Sequence, residues 1–211
     1  MNTRRPAPKR RRYTLGVRAQ AAEETGRRIS DAFLARLMTQ WFDEITLDRV
    51  AADAGVTVQT VVRRFGGKDG LLAGAVRTFG DRVLATRAAP PGDVARLVAN
   101  LVADYEQTGD AVLRLLALEE RHPSLRGVLD YGRDEHRKWV AAGFGGALAG
   151  LDAPRRERAL DAIVVVTDVY AWKLLRRDMG RGVAATTSAM RTMVRAVLAE
   201  FGKKEPSGEA R

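Results

Sequence analysis

The chain of 211 residues contains no cysteine and only two histidines, His122 and His136. Without cysteine there is no disulfide and no thiolate metal site, a usage that suits a cytoplasmic protein. The spacing of the two histidines fits no zinc or Ser-His-Asp pattern, even with Glu119 and Glu135 close by. No nucleophile elbow, dinucleotide fingerprint or phosphate-binding loop occurs. The cluster Gly143, Gly145, Gly146 and Gly150 has no strand before it and no Lys-Ser/Thr after it, so it marks a close helix crossing or a helix end. No apolar run approaches the roughly eighteen residues that a membrane span needs. The basic N-terminus lacks the apolar segment that would make it a signal peptide. Strand signals are lacking too. The expectation is an all-α protein that is not an enzyme, holds no cofactor or metal and touches no membrane.

What is abundant is positive charge. The formal net charge is +10, against an ordinary 45% apolar and 29% charged composition. Up to Leu72 there are 14 Lys or Arg against 8 Asp or Glu, a net of +6, and the remaining two thirds carry a net of +4. Such a concentration favours an anionic partner such as a phosphate backbone, with binding that falls steeply as salt rises. Arg4, Arg5, Lys9, Arg10, Arg11 and Arg12 crowd the first residues beside Pro6 and Pro8, a stretch too polar to fold alone. Residues 1–16 read as a disordered arm, either a free tail or a segment lying along a duplex.

One short stretch organises the rest. In Thr46–Ala54, Leu47, Val50, Ala51 and Ala54 recur at helical offsets behind a Thr46 N-cap. Gly55 supplies the positive φ of a helix end, with Val56 tucked beneath the turn. Thr57 caps a second helix whose inner face is Val58, Val61 and Phe65. Two short helices joined so tightly form a helix-turn-helix. At about 100° per residue, an inward Val61 puts Gln59 and Arg63 nearly opposite it, flanked by Thr60 and Val62. Gln can bond adenine N6 and N7 as a pair, and Arg can do the same to guanine O6 and N7, so this face is suited to base edges in a major groove. A surface helix with no such role could also carry one Gln and one Arg.

The run ITLDRVAADAGVTVQTVVRRFGGKDGLL, within 28–72, resembles the DNA-binding domain of the TetR (tetracycline-repressor-like) transcriptional regulators. The matching features are the Thr-Leu opening, Val-Ala-x-x-Ala-Gly-Val, the capping Thr, and Phe-Gly-x-Lys-Asp-x-Leu-Leu. Three positions depart from the family pattern. Val62 stands where a phosphate-contacting Tyr is usual, Arg64 replaces a His, and Gly67 replaces a Ser cap. Lys68 opens the next helix, where its charge gains nothing from the dipole, and a phosphate held jointly with the free amides would explain it. The residues assigned to DNA are Thr46, Thr57, Val58, Gln59, Thr60, Val62, Arg63, Arg64 and Lys68.

The resemblance implies a helix-turn-helix head at 17–72, a helical effector-binding and dimerisation core at 73–205, and a disordered tail at 206–211. A helix from about Val17 with Ile29, Ala32, Phe33, Leu37 and Trp41 inward would close the head, placing Trp41 and Phe42 in its core. The loop Ala88–Asp93 ends in a capping Asp, and helices are expected at 93–106, 109–121, 124–149, 154–177 and 182–201. The fourth of these carries Ile163, Val164, Val165, Val166 and Val169, and the last Met190, Met193, Val194, Val197, Leu198 and Phe201. Helices so apolar must be covered on every side, either by a second copy or by the core of a single chain. In the family, these positions form a four-helix interface between two copies, so the implied assembly is a homodimer on a palindromic double-stranded operator. Family members use their core helices as a small-molecule pocket, and most repress. Glu119, His122, Tyr131, Trp139, Thr167, Asp168 and Tyr170 are the polar or aromatic interruptions assigned to such an effector site, beside Tyr105 and Trp172. Asp168 on a valine-rich helix would want a cation: Lys173, an Arg across the interface, or the effector itself.

Overall fold

The structure is a computed structural model that describes the backbone of residues 10–202 and the side chains of residues 19–202. The expected tail at 206–211 and the arm up to residue 9 lie outside the described residues. Helix α1 spans Arg10–Leu37, beginning ahead of the Val17 expected from sequence. After Pro8 no proline interrupts the Arg-rich segment, and Arg and Leu are good helix formers, so the last part of the expected arm is helical.

The described residues form two compact units, one up to Ala75 and the other from Val76. In the first, α1 packs on α2 (Leu47–Ala54), and α2 on α3 (Val58–Phe65). Their shared core is Ile29, Phe33, Leu37, Phe42, Ile45, Val50, Val61, Leu71 and Leu72, each 3% exposed or less. A 3-10 turn at Phe42–Glu44 leads from α1 to α2. It inserts Phe42 edge-on to Phe33, with the ring centroids 6.5 Å apart. Trp41 does not join them: it lies beyond the end of α1 and is 41% exposed, because Phe42 alone fills the space.

Helix α4 (Lys68–Arg87) runs on from the head into the second unit. There α5 (Val94–Leu118), α6 (Pro123–Phe144), α7 (Ala153–Thr167), the short α8 (Val169–Lys173) and α9 (Val183–Gly202) surround one apolar core. Helix α5 packs on α6, α8 and α9, and α7 on α6 and α9. Asp93 caps α5 by accepting from Arg96 N–H at 3.0 Å, as its position after the Pro-Pro-Gly loop predicts.

The helix pattern of this unit differs from the sequence expectation at 107–108, at Asp168 and at Gly145, where the helix expected to run to 149 stops. The break expected near 107–108 is absent and α5 is continuous. Gly109 is buried there because a Cβ would come 2.5 Å from Trp172 Cζ3, so this glycine permits a close approach and ends no helix. Conversely, the single helix expected at 154–177 is broken at Asp168. Asp168 takes extended backbone angles and accepts from Tyr170 N–H at 2.9 Å, capping α8. A π-helical turn, Leu174–Asp178, follows. Of the cations expected for Asp168, Lys173 pairs instead with Asp178 at 2.8 Å. The glycine cluster closes a helix: Gly143 is buried against Leu97, and a 3-10 turn at Gly145–Leu148 follows.

Candidate nucleic-acid interface

The first unit holds α3 by both ends. Thr46 accepts from Arg49 N–H at 3.4 Å to start α2, and Gly55 ends it with φ 63° and ψ 42°. Val56 N–H then reaches back to Ala51 O at 2.9 Å, closing the turn. Thr57 accepts from Thr60 N–H at 3.3 Å, and its hydroxyl lies 3.0 Å from that of Thr60. At the far end Gly66, at φ 77°, closes the helix on Val62 O. Inside, Val61 is wholly buried, which contributes roughly 1.5–3 kcal/mol toward docking α3 on the head. Val58 and Phe65 are only half-buried.

The opposite face is free of these duties. Gln59 and Arg63 are both exposed, on the side away from Val61, and Val62 beside them is 43% exposed. Thr60 is half-buried. No acidic residue occurs in Val58–Phe65, and Arg63 and Arg64 occupy its last turn. Arg64 is turned back toward the head: its guanidinium sits 5.9 Å from the Phe65 ring centre and against Gly26 of α1, where any Cβ would overlap it. Lys68 is also engaged. Its ammonium lies 4.4 Å from the Phe42 ring centre and donates to Asp43 O at 3.3 Å. Burial lowers its pKa from the ordinary lysine value, opposed by the charges of Asp43 and Asp69. Of the nine residues assigned to DNA, then, Gln59, Val62 and Arg63 present outward side chains on α3, Val58 and Thr60 are half-buried, Thr46 and Thr57 stand at helix starts, Arg64 is exposed but lies along α1, and Lys68 is held by Phe42 and Asp43.

In the second unit polar groups turn inward. Arg87 and Asp104 form a buried ion pair, with Arg87 Nε 2.8 Å from Asp104 Oδ2. Burial pushes the Asp104 carboxyl up, while Arg87 and Thr108 pull it down. The guanidinium also covers the Tyr105 ring at 4.9 Å. Tyr105 donates to Thr167 O at 3.1 Å, and burial raises its pKa. Thr167 donates to Ile163 O at 2.6 Å, so its oxygen is left to accept from His136 Nε2 at 3.1 Å. That chain fixes the imidazole tautomer and leaves His136 Nδ1 as a bare acceptor, buried and without a hydrogen-bond partner among the described residues. Burial first, then the charge of Arg87, lowers the His136 pKa to about 4. Trp139 stacks on His136 with centroids 5.6 Å apart.

This cluster gathers Trp139 and Thr167 from the residues assigned to an effector. It does not gather the others. Glu119 is held by Arg133 at 2.6 and 2.8 Å, His122 stands at the N-cap of α6, and Tyr131 packs against Gly80. Asp168 is the cap described above, and Tyr170 is 57% exposed. Sequence reading missed Arg87, Asp104 and His136 as a set. A signal existed for Asp104, a carboxylate in register with Leu97, Leu101 and Thr108 on the inward side of α5.

Among the solved structures with this architecture is a transcriptional regulator from Rhodococcus sp. Rha1. It matches with a TM-score of 0.65 at 20% identity, over 83% of this chain and 96% of that one. A TetR-family transcriptional regulator from Streptomyces coelicolor matches with a TM-score of 0.63 at 18% identity, over 88% and 91% of the two chains. No protein-family model matches the sequence, and no curated protein does. At these identities the likeness defines the fold, and the chain has the all-α fold of the TetR-like regulators.

Proposed function

We propose that this chain is a transcriptional regulator that reads duplex DNA through α3 as a homodimer, represses, and is released by a small-molecule effector. The observation that carries the reading is the pairing of a buried Val61 with outward Gln59 and Arg63 on a helix capped at both ends. Gln59 is suited to adenine and Arg63 to guanine. Around them, Thr46, Thr57 and the free amides at the starts of α2 and α3 serve phosphate oxygens. An ammonium has three donors, and Lys68 uses one on Asp43, so it can also meet a phosphate beside the amides of α4.

Support for two copies comes from apolar side chains left exposed on the last helices. Val165 is 68% exposed on α7, and Leu174 and Val183 are 53% and 45% exposed beyond it. Ile163, Val169, Met190 and Val194 are not among them, since each is buried within its own chain. A two-fold dimer reads two half-sites about 34–36 Å apart, or a multiple of that. Support for an effector comes from the buried polar cluster, where the bare His136 Nδ1 would accept a hydrogen bond from a neutral donor. Among the described residues no helix is long and apolar enough to cross a membrane. The proposed workplace is the cytoplasm, with the DNA.

The test compares binding to sequences recovered from the genome with binding to random duplex at one fixed salt concentration. The reading predicts a preference of at least about a thousandfold. A ratio near one would make the protein an architectural DNA binder.

A further inference from the structure

We propose that Val62 is a base reader in its own right, packing its side chain on the C5 methyl group of a thymine next to the bases met by Gln59 and Arg63. The inference rests on the DNA-reading proposal and assigns one more position of the site. Val62 is a β-branched apolar side chain left 43% exposed on a helix with no internal packing use for it, since Val61 fills the head core and Phe65 closes the lower turn. Exposure of a single apolar residue is ordinary on a protein surface. Its place on α3 is less ordinary. At about 100° per residue Val62 stands to one side of the Gln59–Arg63 ridge, and Val58, one turn earlier and half-buried, lies beneath it on that same side. The outward surface of α3 therefore has a polar crest and one apolar flank.

The occupant follows from charge and groove chemistry. The helix carries Arg63 and Arg64 and no acid, which suits a surface walled by phosphates and opposes an apolar protein partner with a basic rim of its own. Within a major groove the thymine C5 methyl is the one apolar group that projects from a base edge among the donors and acceptors, cytosine carrying only a C–H at that position. An apolar flank set beside a hydrogen-bonding crest matches a thymine beside a hydrogen-bonded base pair. Seating Val62 against an amino group, a carbonyl or a purine N7 would desolvate a donor or acceptor without replacing its bond, and a cytosine C5–H offers less apolar surface than the methyl.

The test removes the methyl from the DNA and leaves the protein untouched. Duplexes enriched from a random pool by the full-length protein are remade with each thymine in turn replaced by deoxyuridine, and their affinities are measured. We expect one thymine per half-site at which methyl removal weakens binding about fourfold, the effect of losing one buried methylene-sized group. With Val62→Ala, that thymine and its deoxyuridine counterpart should bind alike, while the bases chosen by Gln59 and Arg63 stay preferred. Tolerance of deoxyuridine at every thymine by the wild-type protein would overturn the assignment, as would a methyl effect that persists undiminished in Val62→Ala. A pool with no enriched sequence overturns the DNA-reading proposal itself, and this inference with it.

Discussion

The two units of this chain use the same side chains in opposite senses. In the head, Arg63 and Gln59 stand in water on a scaffold whose interior is almost wholly apolar. In the larger unit, Arg87, Asp104, His136 and Thr167 are inside, bonded to one another and to main-chain carbonyls. An exposed arginine costs the fold little and is available to a partner. A buried one binds the fold to its counter-ion, because removing that partner strands a charge in a poorly solvating interior.

Breaking the inward pair gives the largest effect. Asp104→Ala should destabilise the protein by about 3–5 kcal/mol in denaturant unfolding, by leaving Arg87 unpaired. A loss under about 1 kcal/mol would place the pair in solvent-like surroundings and erase the contrast. Next is pH. His136 has a folded-state pKa near 4, below its unfolded value, so the unfolded chain binds the extra proton between the two. Its contribution is complete above about pH 6.5 and is lost as pH falls toward 4, on the order of 3 kcal/mol in all. The difference between wild type and His136→Gln isolates that slope, and parallel profiles would contradict the burial.

Smaller effects belong to the head. Thr57→Ala removes the cap of α3 and should cost about 1 kcal/mol of stability, with a wider loss in DNA binding as the reading helix frays. Smallest is Asp53→Ala, which breaks the partly exposed Arg36–Asp53 pair at 2.6 Å and should change stability by less than about 1 kcal/mol. Equal costs for Asp53→Ala and Asp104→Ala would show that burial does not distinguish the two units.

The head was legible because its signals are local. Thr46, Gly55, Thr57 and Gly66 each act on residues within four positions, and all four stand where their capping chemistry requires. Trp41 was misplaced because helical spacing was extended past Leu37, where α1 ends and Phe42 takes the interior position. In the larger unit the deciding contacts are distant in sequence. The helix expected to start at Gly109 is the middle of α5, and what the glycine does there shows only when Trp172, 63 residues later, is seen to need its missing Cβ. Asp168 reads as a misplaced charge until the chain bends there and turns it into a cap. Val165 and Ile163 look alike in a run of branched residues, yet one is 68% exposed and the other wholly buried. Only the packing of α7 separates them. The Arg87–Asp104 and His136–Thr167 pairs join helices, so helical periodicity could place each residue on a face without naming its partner.

The central claim is that α3 reads sequence through Gln59 and Arg63, and Arg63→Ala measured on selected and random duplexes at one salt concentration tests it most directly. The account predicts a loss of roughly 1–3 kcal/mol on the selected site, relaxed preference at one base position, and a much smaller loss on random DNA. Equal losses on both would show that Arg63 meets only phosphate and that α3 does not read bases as described.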